Sequence, residues 1–238
     1  LMAGKDLGIG SPSGQDYDAD FLIALETFRK GDTREAYAIA QALHDSNPDK
    51  VDPVNLMAAC HVALGEASQA RAMLDKVLQM EPYNPAATLN LAKLDLQAGD
   101  PESARSRLTA FLAEVPGNTQ ASILLANIEA QLGNNDNAIK TLEQALEQHP
   151  DETSLRAMLA QAYYNTGRLG DVLILTRDTN TEQYREQPLL LELRGKTHML
   201  TGDIPAANRD FKQWTDIEPD SARAHFLYSD SLARSGLP

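Results

Sequence analysis

Apolar residues along the chain recur every three or four positions, as at Leu89, Leu91, Ala92, Leu94 and Leu96, rather than at every second one. Each such stretch lasts about 12 to 14 residues, a length and spacing that predict helices rather than strands. The helices are punctuated by a ladder of glycines at Gly31, Gly65, Gly99, Gly133, Gly167, Gly202 and Gly236, spaced 34 residues apart except for a step of 35 before Gly202. Proline follows 17 residues after a ladder glycine at Pro48, Pro82, Pro116, Pro150 and Pro219, and Tyr184 stands where one more would fall. Seven residues before the glycines come Ala24, Ala58, Ala92, Ala126, Ala160, Gly195 and Ser229; five after them come Ala36, Ala70, Ala104, Ala138, Val172 and Ala207. Small side chains at fixed places let two helices approach closely, and Ile23, Met57, Leu91, Leu125 and Leu159 fill the space between them.

Each period therefore reads as a helical hairpin. The glycine suits the left-handed cap that ends a first helix, and the proline stops the second. Asp32 and Glu35 have the spacing of a capping box, while Asn84-Pro85 and Asp100-Pro101 place a capping side chain before a proline at the first helical position. The fifth period departs from the rest. It has an extra residue, Val172 in place of alanine, no closing proline, and a second helix weakened by Gly170 and by the polar run from Thr176 to Thr181, so a shortened helix is expected there. In the sixth, Arg194 replaces a large apolar residue.

These landmarks resemble the tetratricopeptide repeat (TPR) family, with Gln161-Ala-Tyr-Tyr-Asn-Thr-Gly167 especially close to its motif. The resemblance implies an all-α fold, a TPR α-solenoid in which helical hairpins wind into a right-handed superhelix of six repeats plus a final single helix. Its units are 17–50, 51–84, 85–118, 119–152, 153–187 and 188–221, with a partial unit at 222–238; residues 1–16 read as a linker or the end of a preceding repeat. Trp214 falls at a place the family usually gives to alanine, and we expect it to fill space left by the irregular fifth unit.

In that family the first helices build an inner wall, and ligands meet the second, fifth, ninth, twelfth and thirteenth residues of each unit. Carried over position by position, the ninth supplies Lys93, Asn127, Gln161 and Lys196, a polar ridge. The thirteenth supplies the amides Gln131 and Asn165, the twelfth Tyr164, and the fifth Asn55. Carboxamides both donate and accept, so such a ladder suits an extended peptide backbone or sugar hydroxyls, and the two lysines bracket an anionic group. A polar wall is also what solubility alone requires. The fifth position holds no lysine, which argues against a carboxylate clamp of the chaperone-binding kind.

Composition narrows the reading. A formal charge of −13, from 21 basic and 34 acidic residues, disfavours nucleic acid and anionic membranes as partners. The single cysteine, Cys60, excludes a disulfide scaffold and reads as a small core residue. The five histidines, none within a helical turn of another, offer no local metal motif, and Gly8-Ile-Gly10 lacks the preceding strand of a phosphate loop. Glu192 and Asp230 on neighbouring first helices would be a glycosidase-like pair if they faced each other, but Glu192 lies four residues before Lys196, the favoured order for a helical ion pair.

The expected function is thus a non-catalytic protein–protein interaction scaffold, with no cofactor and no metal, that holds an extended peptide or partner protein. The alternative is a carbohydrate-associated role in bacterial exopolysaccharide or protein export. The phrases from Thr88 to Asp100 and from Pro116 to Asn127 resemble the TPR lipoproteins of the PEP-CTERM and exopolysaccharide system, whose lipid-bearing cysteine would lie outside this chain. That resemblance implies a periplasmic or envelope location and a link to polysaccharide-export machinery; without it a cytoplasmic location is expected. No stretch of the sequence reads as a membrane span, and Phe226, Leu227 and Leu232 on the last helix point to a homodimer through that face or to a continuation that covers it.

Overall fold

The structure, a computed structural model, describes residues 16–236, so the linker expected over 1–16 falls outside them but for Asp16, as do Leu237 and Pro238. The described residues form fourteen helices and no strand. They divide into two compact units that meet in sequence between Val115 and Pro116.

The first unit contains α1 (Asp16–Arg29), α2 (Thr33–Ser46), α3 (Val51–Ala63), α4 (Ala67–Met80), α5 (Pro85–Gln97) and α6 (Pro101–Glu114). Each helix packs on the next, giving stacked antiparallel hairpins. Ala24, Ala36, Ala58, Ala70, Ala92 and Ala104 are fully buried, as close helix approach requires, and the large side chains between them, such as Leu74, Leu91 and Leu108, have almost no exposure. Beneath the surface Asp95 is held by two arginines, Arg71 Nη1 at 2.6 Å and Arg107 Nε at 3.1 Å, which ties α5 to both α4 and α6.

The second unit contains α7 (Thr119–Gln131), α8 (Asn135–Gln148), α9 (Thr153–Asn165), α10 (Leu169–Thr176), α11 (Thr181–Glu186), α12 (Leu189–Thr201), α13 (Ile204–Ile217) and α14 (Ala222–Arg234). The irregular period is visible as the break between α10 and α11, where the polar run interrupts what elsewhere is one helix of 14 residues. With α10 only 8 residues long, α12 packs against α9 as well as α10.

All seven ladder glycines have φ between 71° and 91°, the left-handed conformation that ends each first helix at little cost only for glycine. Gly195 serves a different purpose. A Cβ there would lie 2.5 Å from the Phe211 ring, so the missing side chain is what lets α13 press onto α12.

The caps correct one expectation. Asn84 and Asp100 accept the backbone N–H of Ala87 and Ser103 as anticipated, but Asp32 makes no side-chain cap. Of the second helices, only those with proline in the first turn, α6 and α13, are capped by the preceding aspartate. Proline fixes φ in that turn and with it the direction of the first free N–H groups. The capping box that does form is Asn180 with Gln183, opening α11.

Arg194 shows why a cation stands where an apolar residue belongs. Its Nη1 donates to the Tyr184 hydroxyl and to the Thr176 carbonyl, the latter at 3.3 Å, and its Nε and Nη2 bind Asp210 Oδ1 at 2.9 and 2.5 Å. His198 Nδ1 lies 2.8 Å from the other Asp210 oxygen. Tyr184, which replaces the missing proline, is 2% exposed and donates to the Thr176 carbonyl at 3.0 Å. Burial pushes its hydroxyl pKa up, with Arg194 opposing. This network closes the free carbonyl end of α10 that the shortened helix leaves behind.

Candidate functional site

A hollow of about 360 Å³ opens in the second unit between α7, α9 and the start of α12, backed by α8. Three residues expected on the inner wall line it: Asn127 from α7, and Gln161 and Asn165 from α9. Gln161 and Asn165 are one helical turn apart, and Gln161 Nε2 donates to Asn165 Oδ1 at 2.7 Å. That bond uses one donor and one acceptor, and among the described residues Gln161 Oε1 and Asn165 Nδ2 have no partner.

The remaining candidates fall elsewhere. Tyr164 and Lys196 sit beside one another on α9 and α12, with the Lys196 ammonium 6.0 Å from the ring centroid, but neither lines the hollow. Lys196 also donates to Glu192, which is 5% exposed and accepts Arg223 Nη2 on the same oxygen at 2.5 Å. The lysine is therefore partly neutralised. Gln131 is exposed at the end of α7, outside the lining. In the first unit Lys93 is exposed on α5, and Asn55 is half-buried on α3 with a buried Oδ1 that lacks a hydrogen-bond partner.

The hollow also draws in residues that positional transfer did not select. Ser154 holds the second position of its unit and could have been found by the same rule. Asn135 lies on a second helix, and Gln187 belongs to the irregular segment before α12, where no fixed register applies. A separate depression of about 530 Å³ in the first unit, between α4, α5 and α6, is lined by Tyr83, Phe111 and Arg107 among others, but Arg107 is committed to Asp95.

A family model described as tetratricopeptide repeat matches residues 28–78, 68–128, 95–152 and 129–175, more than half of the chain. The chain belongs to the tetratricopeptide-repeat family. No curated protein matches it in sequence. Among solved structures it is similar to PilF of Pseudomonas aeruginosa, with a TM-score of 0.61 and 17% identity over 92% of this chain and 98% of that one. It is also similar to PilW, a type IV pilus biogenesis factor (TM-score 0.60, 20% identity, 90% and 99% coverage), and to YrrB, a TPR protein with an unusual peptide-binding site (0.60, 20%, 83% and 98%). At these identities the likeness is one of TPR fold.

In this TPR chain the two carboxylates weighed as a catalytic pair are each held by cations. Glu192 is bound by Lys196 and Arg223, while Asp230 accepts Arg234 Nε at 3.1 Å. Tyr163, buried under the Arg168 guanidinium, donates to Glu143 at 2.6 Å; burial first, and then that bond, hold its hydroxyl pKa above the ordinary range. The described residues hold no group of three or more His, Cys, Asp or Glu able to bind a metal, and no described helix is long and apolar enough to cross a membrane.

Cys60 is fully buried, and burial pushes its thiol pKa up to about 11. At pH 8 the native chain should therefore react with iodoacetamide about two orders of magnitude more slowly than free cysteine, from thiolate fraction alone. The same assay in 8 M urea restores the ordinary rate; fast labelling of the folded chain would show that the thiol is accessible.

Proposed function

We propose that the protein is a non-catalytic binding scaffold whose second unit captures an extended segment of a partner protein along α7, α9 and α12. The observation that carries this reading is the hollow that gathers Asn127, Gln161 and Asn165 on facing first helices. A carboxamide satisfies both a carbonyl and an N–H of a passing backbone, so a few of them fix an extended peptide without demanding one sequence. Support for a non-catalytic role comes from Glu192 and Asp230, each held by its own cations, and from the buried Cys60 thiol. YrrB, similar in fold, has a peptide-binding site, which is consistent with peptide capture here. Lys93 and Asn55 are proposed as contacts of the first unit by itself, and Tyr164, Lys196 and Gln131 as contacts of the second unit outside the hollow. Phe226, 70% exposed on α14, is the residue we assign to a homodimer contact.

The alternative of a carbohydrate-associated role in export or assembly rests on the two sequence phrases and on the ability of the same amides to bind hydroxyls. Peptides selected from a random displayed library, and in parallel a set of oligosaccharides, can be titrated calorimetrically against the chain. Replacing Asn127, Gln161 and Asn165 together by alanine should weaken peptide binding about a hundredfold, at roughly 1 kcal/mol for each of three lost hydrogen bonds, with helicity by circular dichroism unchanged. Unaltered peptide affinity in the triple variant would discard the site. Oligosaccharide binding lost in that variant, without peptide binding, would establish the alternative.

A further inference from the structure

The chemistry of the hollow goes further than capture of a backbone. In a chain with 23% charged residues, no described residue lining it is charged. Its floor is apolar and finely graded in size, with Ala126, Ala138, Leu142, Ala157 and Met158. Around it stand the carboxamides of Asn127, Asn135, Gln161, Asn165 and Gln187 and two hydroxyls, together with the apolar Ala130, Ala162 and Leu189. We propose that the hollow takes one large apolar side chain from an uncharged stretch of the partner and rejects a charged residue at that point. The proposal rests on the binding reading above and specifies the residue class that reading leaves open.

Three observations carry it. The alanines leave a volume of about 360 Å³ at the centre, within the range of pockets that bury a ligand group, and Met158 adapts its flexible side chain to what enters. The amides line the hollow beside its apolar residues, and Gln161 Oε1 and Asn165 Nδ2 are an acceptor and a donor open to a passing backbone. Finally, the charges on α7, α9 and α12 are already engaged. Arg156 of α9 donates to the carbonyls of Leu175 at 3.2 Å and Pro150 at 2.6 Å, Glu129 of α7 accepts Asn134 Nδ2 at 2.8 Å, and Glu192 of α12 is bound by Lys196 and Arg223. An ion entering the hollow would lose water and find no counter-ion, whereas an apolar side chain gains from the same transfer.

The test selects a displayed library of random nonapeptides on the intact 238-residue chain, on Ala130→Trp, and on Gln161→Glu. Ala130 is an exposed lining residue of α7, so an indole there blocks the hollow from its rim, and Gln161→Glu changes charge with almost no change in shape. Melting curves confirm that both variants fold. The expected peptides share Leu, Ile, Met or Phe at one position, and synthetic versions with Ala there bind about tenfold more weakly, as loss of one buried apolar side chain implies. Lys or Glu at that position should weaken binding at least as much. Ala130→Trp should fail to retain these peptides, and Gln161→Glu should shift selection toward Lys or Arg. Selected peptides that require a charge at the shared position and are still lost on Ala130→Trp would overturn the apolar class while leaving the binding reading intact. Peptides retained equally by Ala130→Trp, or no peptides selected at all, would end both.

Discussion

Replacing Trp214 by alanine is expected to destabilise the second unit by about 3–5 kcal/mol, the usual cost of removing a large buried aromatic ring. Trp214 is 4% exposed and belongs to the same buried cluster as Val172 of α10, Tyr184 of α11 and Phe211 of α13. The equivalent place in earlier periods holds Leu43, Val77, Phe111 and Ala145, all buried, so in this chain the site takes side chains of very different size. In the irregular period it holds Thr179, buried in the break between α10 and α11. The indole also ties α13 to the residue that ends it, since its Nε1 donates to Glu218 at 2.6 Å. Trp214→Phe, which keeps an aromatic ring, should recover most of the loss. Urea unfolding followed by circular dichroism, with amide exchange localising the change to α12 and α13, checks the effect. An unchanged midpoint for Trp214→Ala would mean that the ring fills no space the unit depends on.

Asp210→Ala is expected to cost a comparable amount, about 3–5 kcal/mol, because it strips the counter-ion from a half-buried arginine. Arg194 would keep only the Tyr184 hydroxyl and the Thr176 carbonyl, and His198 would lose its carboxylate neighbour. The paired replacement Arg194→Leu with Asp210→Leu should restore most of the stability, since the position then returns to the apolar type found in the other periods and no charge is left unpartnered. Because Asp210 is only 4% exposed, the loss in the single variant should vary little with added salt. Urea unfolding of Arg194→Leu, Asp210→Leu and the double, each against the parent chain, gives the coupling directly. If the double variant is as unstable as Asp210→Ala, the network contributes geometry that apolar packing does not replace.

Much of the fold could be read from the chain because a repeat states the same instruction several times. A glycine every 34 residues can be recognised without knowing any contact, and so can the alanines that must be small wherever two helices touch. The shortened helix of the fifth period was likewise legible from Gly170, the polar run and the absent proline. The cap at Asp32 was misread for a physical reason: sequence spacing brings the right atoms to the right neighbourhood, but the first turn must also be aimed. Where proline aims it, after Asp100 and before Ala206, the aspartate caps.

The candidate site was legible only in part. Position within the repeat identified Asn127, Gln161 and Asn165, because each first helix presents the same residues to the same side. It also grouped Tyr164, Lys196 and Gln131 with them, although the first two pair with each other and Gln131 lies outside the lining. Charge identity alone did not reveal that Lys196 shares Glu192 with Arg223, 27 residues further along the chain.

The sequence by itself determined the period, the hairpin unit, the glycine-capped turns and the family, because each of these depends on interactions within one repeat or between adjacent ones. Only the tertiary structure decided that Arg194 is a structural cation, that α12 reaches α9 past a shortened α10, and that Gln187 joins Asn127 at the rim of an uncharged hollow. Those outcomes depend on which surfaces meet after an irregular segment has broken the register, and distances of that kind are fixed by packing rather than by spacing along the chain.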